Sequence, residues 1–281
     1  MDLEAYFLKI LRASGITQGV GDDGVFLPTR GGVVCALDIF AQGVHFKPEW
    51  LGFERVGYKA MVINVSDMIA MNATPKFALL GVSLDRRMDR RAICDLVAGI
   101  KRACEEFKLV VIGGDSVVGD RLHLSITMLG TARKLLERKG AKRGDYIAHT
   151  GTLGQSYKAL CALFRGGKPS PKNKFFTPRL KHARFMAKAR KFLHAGLDIS
   201  DGVLAECNRL SECNRLAFKL YKPYERAFKS GEEYEMLLCF ARKDRLALLR
   251  LARAHRVRLH IIGEVCPGQS HYPALVWHKS S

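Results

Sequence analysis

The chain has 281 residues, 48% of them hydrophobic, which is enough for two domains of ordinary size with their own cores. No apolar run approaches the roughly 18–20 residues that span a bilayer. The acidic, amphipathic start Met1-Asp-Leu-Glu-Ala-Tyr-Phe7 has no basic region or cleavage site, which argues against a signal peptide and for a cytoplasmic location.

Helical spacing of Leu3, Tyr6, Phe7, Ile10 and Leu11 predicts a first helix over 2–13. After a Gly21-Asp-Asp-Gly24 loop, the apolar run Val33–Leu37 predicts a strand ending at Asp38. Residues 54–72 read as a long buried helix with Asn64 and Asp67 on one face, being three apart. A strand follows at 77–84. A helix over 89–107 carries a stripe of Ile93, Leu96, Val97 and Ile100. A strand at 109–112 runs into Gly113-Gly-Asp115, and another covers 122–129. Composition turns basic and polar near 131–144, placing a domain boundary at about 133, between units 1–133 and 134–281. The second half predicts a strand at 146–150, a helix through 155–165, a turn-rich loop at 166–178 and a basic helix to about 193. Helix 203–216, strand 236–240, helix 243–255 and strand 261–265 complete it. The alternation indicates an α/β or α+β architecture.

The eight cysteines form no CxxC pair, and most lie in apolar stretches, as expected of small buried hydrophobes rather than metal ligands. The net charge of +19 is one-sided. Residues 1–130 hold 15 Lys and Arg against 15 Asp and Glu; residues 131–281 hold 31 against 12. Such asymmetry raises nucleic-acid binding. Yet the basic residues spread thinly from Arg133 to Lys279 with no nucleic-acid motif. A solvated basic surface is the expectation, and nucleic acid is not the expected partner.

The chemistry concentrates in acidic stations: Asp22-Asp23, Asp38, Asp67, Asp115, and Asp198 with Asp201. Carboxylates without a matching His and Cys cluster point to hard oxygen ligation, hence Mg²⁺ and a phosphate-bearing substrate. Each station has a plain alternative. Gly-Asp-Asp-Gly suits a tight turn, Asp38 a helix cap and Asp67 a structural ion pair. Asp198-Ile-Ser-Asp201 suits a capping sequence before a helix, where backbone N–H groups also attract phosphate.

In order, these pieces resemble the thiamine-monophosphate kinases, within the aminoimidazole ribonucleotide synthetase-like superfamily. They are Gly21-Asp-Asp-Gly24, Asp38 with Gly43-Val-His-Phe46, Lys59-Ala, Asn64-Val-Ser-Asp67 and Gly113-Gly-Asp115. After them come Arg138–Asp145, Thr150-Gly-Thr-Leu-Gly154, Gly196–Gly202 and Gly231-Glu-Glu-Tyr-Glu235. The resemblance implies a two-domain fold: an N-terminal α/β domain whose strands join a second subunit's in a dimer-spanning β-barrel, and a C-terminal α/β domain. It implies transfer of the ATP γ-phosphoryl to thiamine monophosphate, giving thiamine diphosphate and ADP, by a homodimer with several Mg²⁺ ions. Carried over by position, Asp23, Asp38, Asp67, Asp115, Asp198 and Asp201 would bind metal. Gly114, Asp115, Arg138 and Ser200 would contact ATP, and His45, Glu232 and Trp277 thiamine monophosphate. No general base is implied, since the acceptor is an ionised phosphate oxygen.

The chain departs from the family pattern in four places. Ala36-Leu37 replaces the usual Ser-Thr before Asp38. The Gly-Gly-Glu-Asp-Tyr-Glu motif reads Ser230-Gly-Glu-Glu-Tyr-Glu235. The connection 217–230 is short and basic, and the C-terminal pattern is reduced to Trp277-His278-Lys279. A related ATP-dependent synthetase is an alternative; a selenophosphate-forming one lacks an N-terminal Cys here. The lost hydroxyls also allow a weakened thiamine-phosphate-binding protein.

Overall fold

A computed structural model describes residues 23–29, 32–223 and 225–275. The predicted helix at 2–13, Asp22 and Trp277 lie outside these residues. The first sheet holds β1 (Val25–Leu27), β2 (Val33–Ala41), β3 (Thr74–Asp85), β4 (Val110–Gly119) and β5 (His123–Thr131), in the order β1-β2-β5-β3-β4. Only β3 and β4 pair in parallel within it. Their crossover is α3 (Arg90–Phe107). The short α1 (Pro48–Leu51) and the long α2 (Phe53–Ala70) connect β2 to β3.

The second sheet is antiparallel, in the order β7-β9-β6-β10-β8. Its strands are β6 (Tyr146–Thr150), β7 (Leu193–Asp198), β8 (Ala217–Leu220), β9 (Met236–Phe240) and β10 (Leu259–Cys266). The helices of this half are α4 (Gln155–Phe164), α5 (Ala183–Ala189), α6 (Val203–Asn214) and α7 (Arg245–Ala254). The mixed α/β reading therefore holds. No helix among the described residues is long and apolar enough to cross a membrane.

Helix α2 explains how the halves meet. It is apolar nearly all round, and such a helix must be covered on every side. β5 alternates, presenting Leu124, Ile126 and Met128 to the buried face. Met61 and Met68 of α2 are fully buried there, each burial stabilising by roughly 1.5–3 kcal/mol. The same buried cluster continues into Phe185, Leu238 and Phe240 of the second half.

α2 and α3 touch backbone to backbone. A Cβ added at Gly57 would stand 2.2 Å from the Leu96 carbonyl oxygen, and one at Gly99 1.8 Å from that of Glu54. This contact corrects the predicted stripe of α3. Ala92, Leu96, Gly99 and Ala103 face inward, whereas Val97 is 55% exposed.

Other expectations change as well. β2 runs on to Ala41 and β4 to Gly119, so Asp38 and Asp115 sit within strands rather than at their ends. The basic helix stops at Ala189, and the predicted elements omit β1, β7 and β8. Among the cysteines only Cys207 and Cys239 are buried, while Cys94 and Cys213 are exposed.

Candidate active site

Three carboxylates converge where the two halves meet. Ligand oxygens of Asp23, before β1, Asp67, on α2, and Asp198, at the end of β7, all lie within 4.8 Å of one another. Asp38 bears on the same point. Its backbone N–H donates to Asn64 Oδ1 at 3.1 Å, while Asn64 Nδ2 donates to the Ala60 carbonyl, so α2 holds the middle of β2 by one side chain. The reading that put Asn64 and Asp67 on one helix face gains a reason: one residue fixes the strand and the other faces the cluster.

The cost of this convergence shows in the carboxyl groups. Loss of water pushes the Asp67 carboxyl well above the usual carboxylate range. Asp38, Asp198 and Asp23 push it further, and Arg138 partly offsets them. Asp198 is raised for the same reasons, desolvation first and Asp23 second, despite a 2.6 Å hydrogen bond from the Ser66 hydroxyl. Arg138 forms an ion pair with Asp23. An all-oxygen donor set whose charges repel one another suits a hard divalent cation such as Mg²⁺.

The Ile199–Gly202 segment leads from β7 into α6. Asp201 pairs with Arg209 at 2.5 Å, and Arg209 also pairs with the buried Glu206 at 2.7 Å. Glu206 Oε1 accepts from the Asp201 N–H at 3.0 Å and from the Ser200 hydroxyl at 3.4 Å. Glu206 and Arg209 therefore shape the Ser200–Asp201 turn. Neither is among the residues expected from the sequence, although their i, i+3 spacing on α6 is visible there.

The 231–235 loop lies against this turn. The Glu232 N–H donates to the Ser200 carbonyl at 2.6 Å, and the Tyr234 N–H to that of Ile199 at 2.9 Å. Glu232 and Tyr234 both have left-handed backbone, φ 52° and 50°. The Glu232 carboxylate meets Lys59 of α2 at 3.1 Å, both side chains almost wholly buried. Lys59 also stands 4.3 Å from the ring centre of Phe175. Burial raises the Tyr234 hydroxyl pKa, with further contributions from Glu232, Asp38, Asp198 and Asp67, which marks it as a neighbour of the cluster.

His45 follows β2. Its Nδ1 accepts the Ala41 N–H at 3.1 Å, so the neutral ring carries its proton on Nε2.

Two departures from the family motifs acquire structural explanations. Glu233 does not point at Lys59; its Oε1 accepts from the N–H groups of Gly154 and Ser156 at 2.9 and 3.1 Å, capping α4. Of the two positions where hydroxyls are usual, Ala36 is buried with the inward face of β2, whereas Leu37 is 57% exposed on the opposite face.

Gly114 and Asp115 stand apart. Asp38, Ile126, Leu80 and Gly114 are successive partners across four strands, so three strand spacings, about 14 Å, separate Asp38 from Gly114. Asp115 is exposed and its carboxylate accepts from the Ser116 N–H. Gly114 has its own backbone reason, since an added Cβ would lie 1.9 Å from the Leu80 carbonyl oxygen.

Residues 21–132 match the model for the AIR synthase related protein, N-terminal domain. The thiamine-monophosphate kinase of Methanopyrus kandleri is 32% identical over 241 residues, covering 78% of this chain and 76% of that protein. That of Aquifex aeolicus is 29% identical over 231 residues, covering 73% and 74%. A solved structure, AaThiL complexed with AMPPCP and TMP, shares the fold with a TM-score of 0.83 at 24% identity, over 95% of this chain and 91% of that one. On this ground the chain belongs to the thiamine-monophosphate kinase family.

Proposed function

We propose that this chain transfers the γ-phosphoryl group of ATP to a phosphate oxygen of thiamine monophosphate, yielding thiamine diphosphate and ADP. The observation that carries this reading is the convergence of Asp23, Asp67 and Asp198, with Asp38 and Arg138 beside them. The family's kinase activity and the AMPPCP and TMP bound to AaThiL supply the substrates.

Asp23, Asp38, Asp67 and Asp198 would hold Mg²⁺. When bound, the ions neutralise the meeting of two polyanions. The protein supplies positioning. Arg138 adds positive charge beside Asp23, and Ser200, in the turn that Glu206 holds in shape, is assigned to ATP with it. His45 and Glu232 are assigned to thiamine monophosphate, His45 by donating from Nε2 and Glu232 as a carboxylate fixed by Lys59. The two units 1–133 and 134–281 would meet across this site.

The test is direct: protein, Mg²⁺, ATP and thiamine monophosphate are mixed and thiamine diphosphate is read by chromatography. Product is expected, and folded protein that forms none overturns the assignment.

Assembly into a homodimer through the first sheet is part of the same reading. β4 is an edge strand, with Val110 at 55%, Ile112 at 52% and Val118 at 69% exposure. Leu37 and Ile39 of β2 expose a further apolar patch. A long apolar edge in an isolated chain invites pairing with another strand. A barrel completed by a second copy would cover it and place Gly114 and Asp115 at a shared site. Light scattering at micromolar concentration is expected to give twice the chain mass, and Val118→Arg the single-chain mass; a monomeric wild type rules the dimer out.

A further inference from the structure

A cavity of about 670 Å³ lies where α5, α7 and the connection after β5 meet the end of α2. Six cations line it: Arg133, Lys134, Lys188, Arg190, Lys191 and Arg250. No carboxylate lines it. Residues scattered over more than a hundred positions, which read as a thin basic wash along the sequence, are thus gathered at one place.

Among the described residues, none of the six takes part in an ion pair. Arg190 is fixed rather than floating: Nε donates to the Leu135 carbonyl at 2.5 Å and Nη1 to that of Leu193 at 2.7 Å. Burial works against its charge and lowers its pKa, which Glu137, outside the lining, opposes in part. Asn72 fixes the opposite wall by donating to the Lys134 carbonyl at 2.7 Å.

The floor differs in character. Ala247, Leu251 and Ala254 form a stripe on α7, with Phe192 beside them. Like charges around an apolar floor are unfavourable when nothing answers them, and an anion with an organic body satisfies both parts. The volume falls within the range of small-molecule sites, of the order of 300–1,000 Å³.

We infer that this cavity binds an organic phosphate carrying two or more negative charges, separately from the carboxylate site. None of its lining residues belongs to that site. Arg133 and Lys134 nevertheless precede Arg138 by only a few residues, and Asn72 follows the helix that bears Asp67. A ligand here would rest on the segment joining the two sheets.

The test is titration calorimetry with ATP and with inorganic tripolyphosphate, each in EDTA so that the acidic cluster repels them. Wild type and Asp67→Asn should bind both with similar affinity. The double charge reversal Lys188→Glu/Arg250→Glu, at exposed positions, should weaken both by about tenfold or more, with an unchanged melting midpoint. The milder pair Lys188→Gln/Arg250→Gln should fall between. Unchanged affinity in both double variants, or loss of binding in Asp67→Asn alone, overturns the proposal. So does a short single-stranded RNA that binds far more tightly than ATP and is lost with the same reversals, because the surface would then be a nucleic-acid track.

Discussion

Asp67→Asn is expected to lower the rate of thiamine diphosphate formation by about 10²–10³-fold, the scale of removing one preorganised group that stabilises a transition state. It should do so while raising the melting midpoint measured in EDTA. Both effects have one origin. Asp67 lies among Asp23, Asp38 and Asp198, and burial together with their charge opposes its ionisation. The amide keeps the shape and removes the repulsion, so the metal-free fold gains stability as the cation site loses a ligand. A variant that keeps full turnover across Mg²⁺ concentrations would remove Asp67 from the site. A variant that melts earlier would show that the carboxylate serves the fold.

The second large effect is on stability. Lys59 and Glu232 form a buried pair, and Glu232 Oε1 has no hydrogen-bond partner. Lys59→Met should destabilise by about 3–5 kcal/mol, because it leaves a carboxylate buried and unanswered. The double change Lys59→Met/Glu232→Gln should recover much of that loss, since no charge then remains to be buried. Urea denaturation of the two single variants and the double variant measures this as a coupling. A loss below about 1 kcal/mol for Lys59→Met would mean that water reaches Glu232 once the lysine is gone.

Much of the scaffold was legible because it obeys local rules. The helix over 53–70 announces itself by a long, largely apolar stretch without Pro, and β6 by a short run between turn residues. Elements were misjudged where one residue masked its neighbours. Asp38 looks like the end of an apolar run, yet Ile39-Phe40-Ala41 continue the strand. β7 was hidden because His194 and Gly196 break the expected strand pattern, although the strand is almost wholly buried at the edge of its sheet beside β9. The carboxylates themselves could be picked out by type and surroundings. Their meeting could not, because Asp23, Asp67 and Asp198 are distant in sequence and only the packing of α2 between the sheets joins them. The tasks of Ser66 and Lys59, whose partners Asp198 and Glu232 are equally distant in sequence, were hidden for the same reason. So was the helix-capping task of Glu233, which resembles a site residue in sequence and serves α4 in the fold.

The contact between α2 and α3 carries a consequence for precision. Gly57 and Gly99 let each helix press a carbonyl into the other where even a methyl group has no room. Such a contact acts as a detent: sliding α2 along its axis would drive backbone into backbone, with no flexible side chain to absorb the motion. Asp67 rides on that helix, so its reach toward Asp23 and Asp198 is indexed by the missing side chain of Gly57, ten residues earlier on the same helix, and by that of Gly99 on α3.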